Sequence, residues 1–246
     1  MSEPKTYTLE APGAVLHYDV RDSGGAGHPA LLLIGSPMGA SGFAALAGQF
    51  ADRTVVTYDP RGTERSQRTD GEPPGSEPGE HAEDLRRLIL ALDAGPADVF
   101  ASSGGAVNAL VLVARHPRLI RTLVAHEPPA ASELPDREPA LAACADIRET
   151  YQRSGRGPAM AKFIALVSRP GPIPPGFPGQ PGPDPATFGL PDSDDGTRDD
   201  PLLGLHMTAC PGYRHDSTRS ARHPPASSSA SAPSPARCWP AAAPWP

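Results

Sequence analysis

Between Asp98 and Arg115 the chain passes from a run with strand character directly into a helix-forming run, and the junction is Ser103-Gly104-Gly105. A strand that turns so abruptly into a helix leaves little room, so the residues two positions either side of the turning residue must be small. Here they are Ala101 and Gly105. Such a turn lifts the Ser103 hydroxyl above the end of a sheet, at the positive end of the helix that follows. The same five residues also occur where a serine merely caps a helix. The strand before Ser103 and the small-residue helix after it favour a nucleophile turn. The usual pattern is G-x-S-x-G, and Ala101 departs from it at the first position without adding much bulk.

The surrounding chain supplies the sheet that such a turn needs. Thr6–Glu10 and Ala14–Val20 read as short strands joined by Pro12-Gly13, a hairpin signal. Ala30–Ile34 is continuously apolar, as a strand covered on both faces would be. Ser41–Ala51 reads as a short helix, Thr54–Tyr58 as a strand, Glu80–Leu92 as a helix with Leu85, Leu88, Ile89 and Leu92 on one stripe, and Arg121–Ala125 as the strand after the Gly105–Arg115 helix. Strands alternating with helices predict an α/β fold: a mostly parallel sheet with helices on both faces. Six strands are legible, and the pattern thins from Pro128, where Glu138–Gln152 and Pro158–Val167 have only helical potential.

Proline explains part of that thinning. The chain has 33 prolines against an average usage of about 5%, and 18 of the 33 follow Ser168. Pro170–Pro185 is Pro/Gly-rich, Asp192–Asp200 is acidic and apolar-poor, and from Ser217 the chain is Ser, Ala, Pro and Arg. Such composition buries too little apolar surface to offset chain entropy, so 217–246 is predicted to be disordered. The expected organisation is a core over 1–129, a cap-like helical and Pro/Gly-rich region over 130–216, and that tail. A net charge of −6 without a basic stripe gives no reason to expect nucleic acid or an anionic membrane as partner. Three widely spaced cysteines fit neither a disulfide framework nor a zinc site. Met1–Glu10 lacks an apolar leader core and no apolar run nears the length of a membrane span, so a cytoplasmic location is expected.

The strand Ala30–Ile34 ends in Gly35-Ser36-Pro37-Met38-Gly39, where a backbone N–H can face a developing oxyanion, and the N–H of Gly104 would be the second donor. Downstream lies Asp59-Pro60-Arg61-Gly62-Thr63-Glu64-Arg65-Ser66. With these motifs and the Ser103 turn, the chain from Thr6 to Pro129 resembles the α/β-hydrolase superfamily, in its small bacterial esterase- and perhydrolase-like branch. Gly35-Ser36-Pro37 stands where that family often has His-Gly-x-Pro, and 59–66 stands where it has D-x-R-G-x-G-x-S. Ile34, Glu64 and Ala101 depart from the family pattern. The resemblance implies Ser103 as nucleophile, the amides of Ser36 and Gly104 as oxyanion donors, structural roles for Asp59 and Arg61, a small-molecule ester, amide or thioester as substrate, and neither cofactor nor metal. It leaves the oligomeric state open.

A serine nucleophile also needs a base, and a carboxylate to orient that base. In the family the order is Ser, acid, His, with the histidine after the last strand. Of the histidines after Ser103, only His126 follows a strand beside the nucleophile turn. His126 is therefore the candidate base, and Glu127 is a candidate acid or, alternatively, a tether for the Pro128-Pro129 turn. No histidine follows two further strands. Read one base earlier in a GC-rich gene, Ser227–Ala232 becomes a Val/Leu-rich strand, which suggests a frameshift near Asp216 that replaced the last strands, the acid and the histidine. The sequence predicts an impaired serine hydrolase, with a non-catalytic pseudoenzyme or ligand-binding remnant as the alternative.

Overall fold

The computed structural model describes residues 3–22, 27–72, 76–191 and 193–215. The expectations placed on the tail, disorder and a shifted reading frame, lie outside them. The chain divides into two compact units, which for the described residues are 3–128 with 215, and 129–214.

The first unit is built on one sheet. Its strands are β1 (Lys5–Ala11), β2 (Ala14–Arg21), β3 (Leu31–Ile34), β4 (Val55–Tyr58), β5 (Gln67–Arg68), β6 (Ala97–Ser102) and β7 (Ile120–His126). They lie in the order β1-β2-β4-β3-β6-β7, with the two-residue β5 paired to β2. β3, β4, β6 and β7 run parallel, and β1 and β2 form an antiparallel hairpin at the β4 side. The expected mostly parallel sheet is what forms, with β4, β3, β6 and β7 parallel out to the β7 edge and the antiparallel hairpin on the other side. Every residue of β3 and of β4 is buried, which is why the first reads as an unbroken apolar run and the second as a β-branched and aromatic one.

Alternation along the strands sorts the helices between the two faces. Leu31, Leu33, Val55 and Phe100 pack with Phe43 and Ala47, so the short α1 (Ala44–Ala47) covers one face. Tyr58 faces the other way and has Asp84 of α2 (Pro78–Leu92) in its electrostatic surroundings. α2 packs along α3 (Gly104–Arg115), and their buried Leu85, Leu88, Val107 and Leu112 supply that layer. The expected Ser41–Ala51 helix is shorter than its pattern: a 3₁₀ turn over Ala40–Phe43 leads into α1. Among the described residues β7 ends the sheet, with Val124 51% exposed on it.

Asp98 pins the near ends of β6 and β7. Its carboxylate accepts from Arg121 through Nε at 2.9 Å and Nη2 at 2.6 Å, and from Arg53 at 3.1 Å. Arg121 is the main cause that holds this carboxyl below its ordinary value. A depressed folded-state pKa contributes stability that is present above the unfolded value of about 3.9 and is lost as pH falls through the folded one. Asp98→Asn is therefore expected to be less stable than the parent at pH 7, and the gap should narrow as the pH is lowered to 3. Urea unfolding at both values checks this, and an unchanged gap would contradict the linkage.

The second unit is helical. α4 (Arg137–Ser154) and α5 (Arg156–Val167) meet at Gly155, whose φ of 79° and ψ of −171° only glycine adopts without strain. A π-helical turn over Leu202–His206 runs into α6 (Met207–Gly212). Ile147, Tyr151, Ala159, Leu166, Leu203 and Met207 form its core. Leu203 and Met207 come from a stretch that the surrounding Pro- and Asp-rich composition had disguised. No helix of the described residues is long and apolar enough to cross a membrane.

Candidate active site

The strand order reverses where the chemistry is expected. After β3 the chain adds β4 on one side, and β6 then lies on the other side of β3. The carboxyl ends of β3 and β6 flank that reversal, where ligands bind in open α/β sheets. Ile34 and Ala101 are register partners, so the segments beginning at Gly35 and Ser102 leave the sheet side by side.

Ser103 sits in the turn between β6 and α3 with φ 54° and ψ −129°. Its N–H donates to the His126 carbonyl at 3.0 Å, and its carbonyl accepts from the Ala106 N–H at 2.9 Å. The backbone is thereby held in a region that L-residues rarely occupy, at a cost of about 1–3 kcal/mol. The side chain is exposed. Ser103→Gly is expected to relieve that strain and, after the extra freedom glycine regains when unfolded, to raise stability by about 1 kcal/mol. Ser103→Ala keeps its Cβ and should not. Urea midpoints of the two variants check this, and equal midpoints would contradict a strained turn.

Gly105 shows why the turn needs small residues. A Cβ built there would lie 2.8 Å from the Gly35 Cα and carbonyl carbon and from the Ile34 carbonyl oxygen, all main-chain atoms. The head of α3 thus rests directly on the Ile34–Gly35 peptide, which leads into Ser36 beside the Ser103 turn. Ala101, fully buried between Ile34 and Ala125, tolerates its one methyl group. Gly104 is the first residue of α3, where N–H groups lack intrahelical partners. The Ser36 N–H has no acceptor among the described residues, and the buried Ser36 hydroxyl has no partner there either.

The 59–66 segment fastens this loop. Asp59 is buried and accepts from the Ala40 N–H at 2.8 Å and from Arg65 Nε at 2.6 Å. Ser66 donates to the Asp59 carbonyl at 2.7 Å and accepts the His17 N–H at 2.8 Å. Gly62 and Glu64 both have left-handed φ, 71° and 45°, so the family's second glycine answers a backbone demand that Glu64 meets under strain. Glu64 Oε1 accepts from Ser41 Oγ at 2.9 Å and from the Gly39 N–H at 3.3 Å. The departure at 64 thus adds a second tie to the loop.

His126 and Glu127 come together, but not on Ser103. His126 is the register partner of Ser102, and its Nδ1 lies 3.2 Å from Ser102 Oγ. Its Nε2 lies 3.9 Å from Glu127 Oε1, and its ring stacks on Phe100. Among the described residues the Ser103 hydroxyl has no hydrogen-bond partner. No local sequence signal marks the Ser102–His126 contact, which depends on how β6 and β7 pair. Elsewhere, His116 Nε2 meets Glu83 Oε1 at 2.9 Å. Burial pushes His206 down to about 4, so it stays neutral inside the second unit.

A family model described as alpha/beta hydrolase fold matches residues 28–172, which include Ser36, Ser103 and Glu127. The chain belongs to the alpha/beta hydrolase fold family. It is 42% identical over 123 residues to YraK, an uncharacterized hydrolase of Bacillus subtilis (strain 168). That similarity covers 49% of this chain and 44% of YraK, so the chain spans less than half of that relative's length. Among solved structures its fold is similar to MGS-M2, an alpha/beta hydrolase enzyme from a Medee basin deep-sea metagenome library. The TM-score is 0.53 at 17% identity, over 67% of this chain and 57% of that one. This family's architecture accounts for the six strands read from the sequence and for the reversal of strand order about β3.

Proposed function

We propose that this chain is a serine hydrolase that cleaves a small ester, amide or thioester through an acyl-Ser103 intermediate, with low turnover. The observation that carries this reading is the strained Ser103 turn, seated with Gly105 against the Ile34–Gly35 peptide. In the proposed reaction Ser103 Oγ attacks the carbonyl carbon, and the resulting oxyanion takes the N–H groups of Gly104 and Ser36. Each such donor is worth about 2.7–4 kcal/mol in the transition state. The leaving group departs with a proton, and water then cleaves the acyl-serine. His126 is the candidate base and Glu127 the candidate acid, but the imidazole must first give up Ser102. That requirement is the reason for the low turnover.

The alternative reading, a ligand-binding remnant without catalysis, is favoured by the partnerless Ser103 hydroxyl. Hydrolysis of p-nitrophenyl acetate, with mass mapping of the acylated peptide, separates the two. The proposal expects slow acylation of Ser103 that Ser103→Ala abolishes. Binding of the ester without any acyl adduct would favour the remnant.

A further inference from the structure

We propose that Ser102, His126 and Glu127 form a second nucleophilic site, in which Ser102 reacts covalently with acyl and phosphoryl electrophiles. This site is separate from Ser103 in face as well as in residue. Phe100 packs on the α1 side of the sheet, Ser102 follows two residues later and shares that side, and the His126 ring lies against Phe100. α3, which Ser103 heads, covers the other side.

The three side chains are ordered as a serine dyad with an orienting carboxylate requires. Ser102 Oγ is 3.2 Å from Nδ1, within reach for proton transfer, and the opposite ring nitrogen is 3.9 Å from Glu127 Oε1. The parallel register of β6 and β7 sets the first contact, since Ser102 and His126 are paired at the strand ends. Glu127 adopts a left-handed φ of 50°, rare for a residue with a side chain, in the turn that brings its carboxylate back beside the ring. A hydrogen bond that served only to close the strand ends would gain most by being buried. Instead the His126 and Glu127 side chains are 48% and 36% exposed, open to a reagent from solvent.

In the reaction the Ser102 hydroxyl proton passes to His126 Nδ1 as Oγ bonds to the electrophilic atom. The leaving group departs and carries the proton away from the imidazolium, which the Glu127 carboxylate stabilises meanwhile. With diisopropyl fluorophosphate the new bond is O–P, the broken bond is P–F, and hydrogen fluoride is the net product. The Ser103 N–H is already given to the His126 carbonyl, so it is not free to hold an oxyanion. The site is therefore expected to take a stable label rather than to turn over.

The test is labelling of the full chain with diisopropyl fluorophosphate, followed by peptide fragmentation that separates Ser102 from Ser103. In Ser103→Ala an adduct is expected on Ser102, with its rate of formation reduced about 10²-fold or more by a further His126→Gln change. An unlabelled Ser103→Ala protein would overturn the second site, whereas the Ser103 reading stands or falls on the label at Ser103 in the parent chain. Labelling of Ser102 at an equal rate with and without His126 would overturn the dyad by showing an unassisted hydroxyl.

Discussion

Hydrolysis of p-nitrophenyl acetate by the 246-residue chain is expected to fall on the order of 10⁶-fold below that of a serine hydrolase whose triad is complete. About 10³–10⁴ over the uncatalysed rate should survive, because oxyanion donors and binding act without a base. In the proposed reading the Ser36 and Gly104 amides, beside the contact of Gly105 with Ile34 and Gly35, would supply that remainder. Residues that act as a unit are strongly non-additive. With the imidazole held on Ser102, the slow acyl-Ser103 route should add less than about tenfold to that residual rate, and Ser103→Ala should remove only this part. Steady-state rates of the two proteins at saturating ester measure this. Brisk turnover that Ser103→Ala abolishes would mean that an imidazole does reach Ser103, and His126→Gln would then identify it.

The largest stability effect is expected at Arg61. Its guanidinium and the Asp84 carboxylate are both buried and meet in a two-pronged pair, Nε to Oδ2 at 2.7 Å and Nη2 to Oδ1 at 2.6 Å. Nη1 turns to Glu80 and to the Pro12 carbonyl. This arrangement fastens the turn after β4 to α2 and to the β1–β2 hairpin. Burial raises the Asp84 carboxyl above its ordinary range even with Arg61 opposed to it. Without Arg61 that carboxylate would be left charged and dry, or forced to take a proton. Arg61→Met is therefore expected to cost about 3–5 kcal/mol, whereas the double change Arg61→Met with Asp84→Leu should recover most of that loss. A typical domain has only about 5–15 kcal/mol in total, so the single variant should be visibly marginal in urea unfolding. A loss under about 1 kcal/mol for Arg61→Met would show that water reaches the pair.

Much of this was legible along the chain. The continuous apolar run Leu31–Ile34 read as a strand covered on both sides and the β-branched and aromatic Val55–Tyr58 as its neighbour, and both are buried strands. The stripe of Leu85, Leu88 and Ile89 could only be the buried side of a helix. The small residues around Ser103 foretold its strained turn, since steric room is a local property that sequence displays directly. Less legible were the π-helical turn and α6, because Leu203 and Met207 are buried by long-range packing against α4 and not by any local period. Pro170–Pro185, by contrast, read as loop and is almost entirely so.

The sequence by itself determined the strand–helix alternation, the serine at the sheet's edge and the shortage of histidines near it. These rest on residue size, apolar period and chain order, all of which are properties of neighbours along the chain. Only the tertiary structure decided which hydroxyl the His126 imidazole holds. Ser102 and His126 are 24 positions apart, and they meet because β6 and β7 pair in parallel with those two residues in register. A one-residue slip of one strand against the other would put the two side chains on opposite faces of the sheet. The partner of His126 is thus set by the alignment of two strands, a long-range choice that no local pattern encodes.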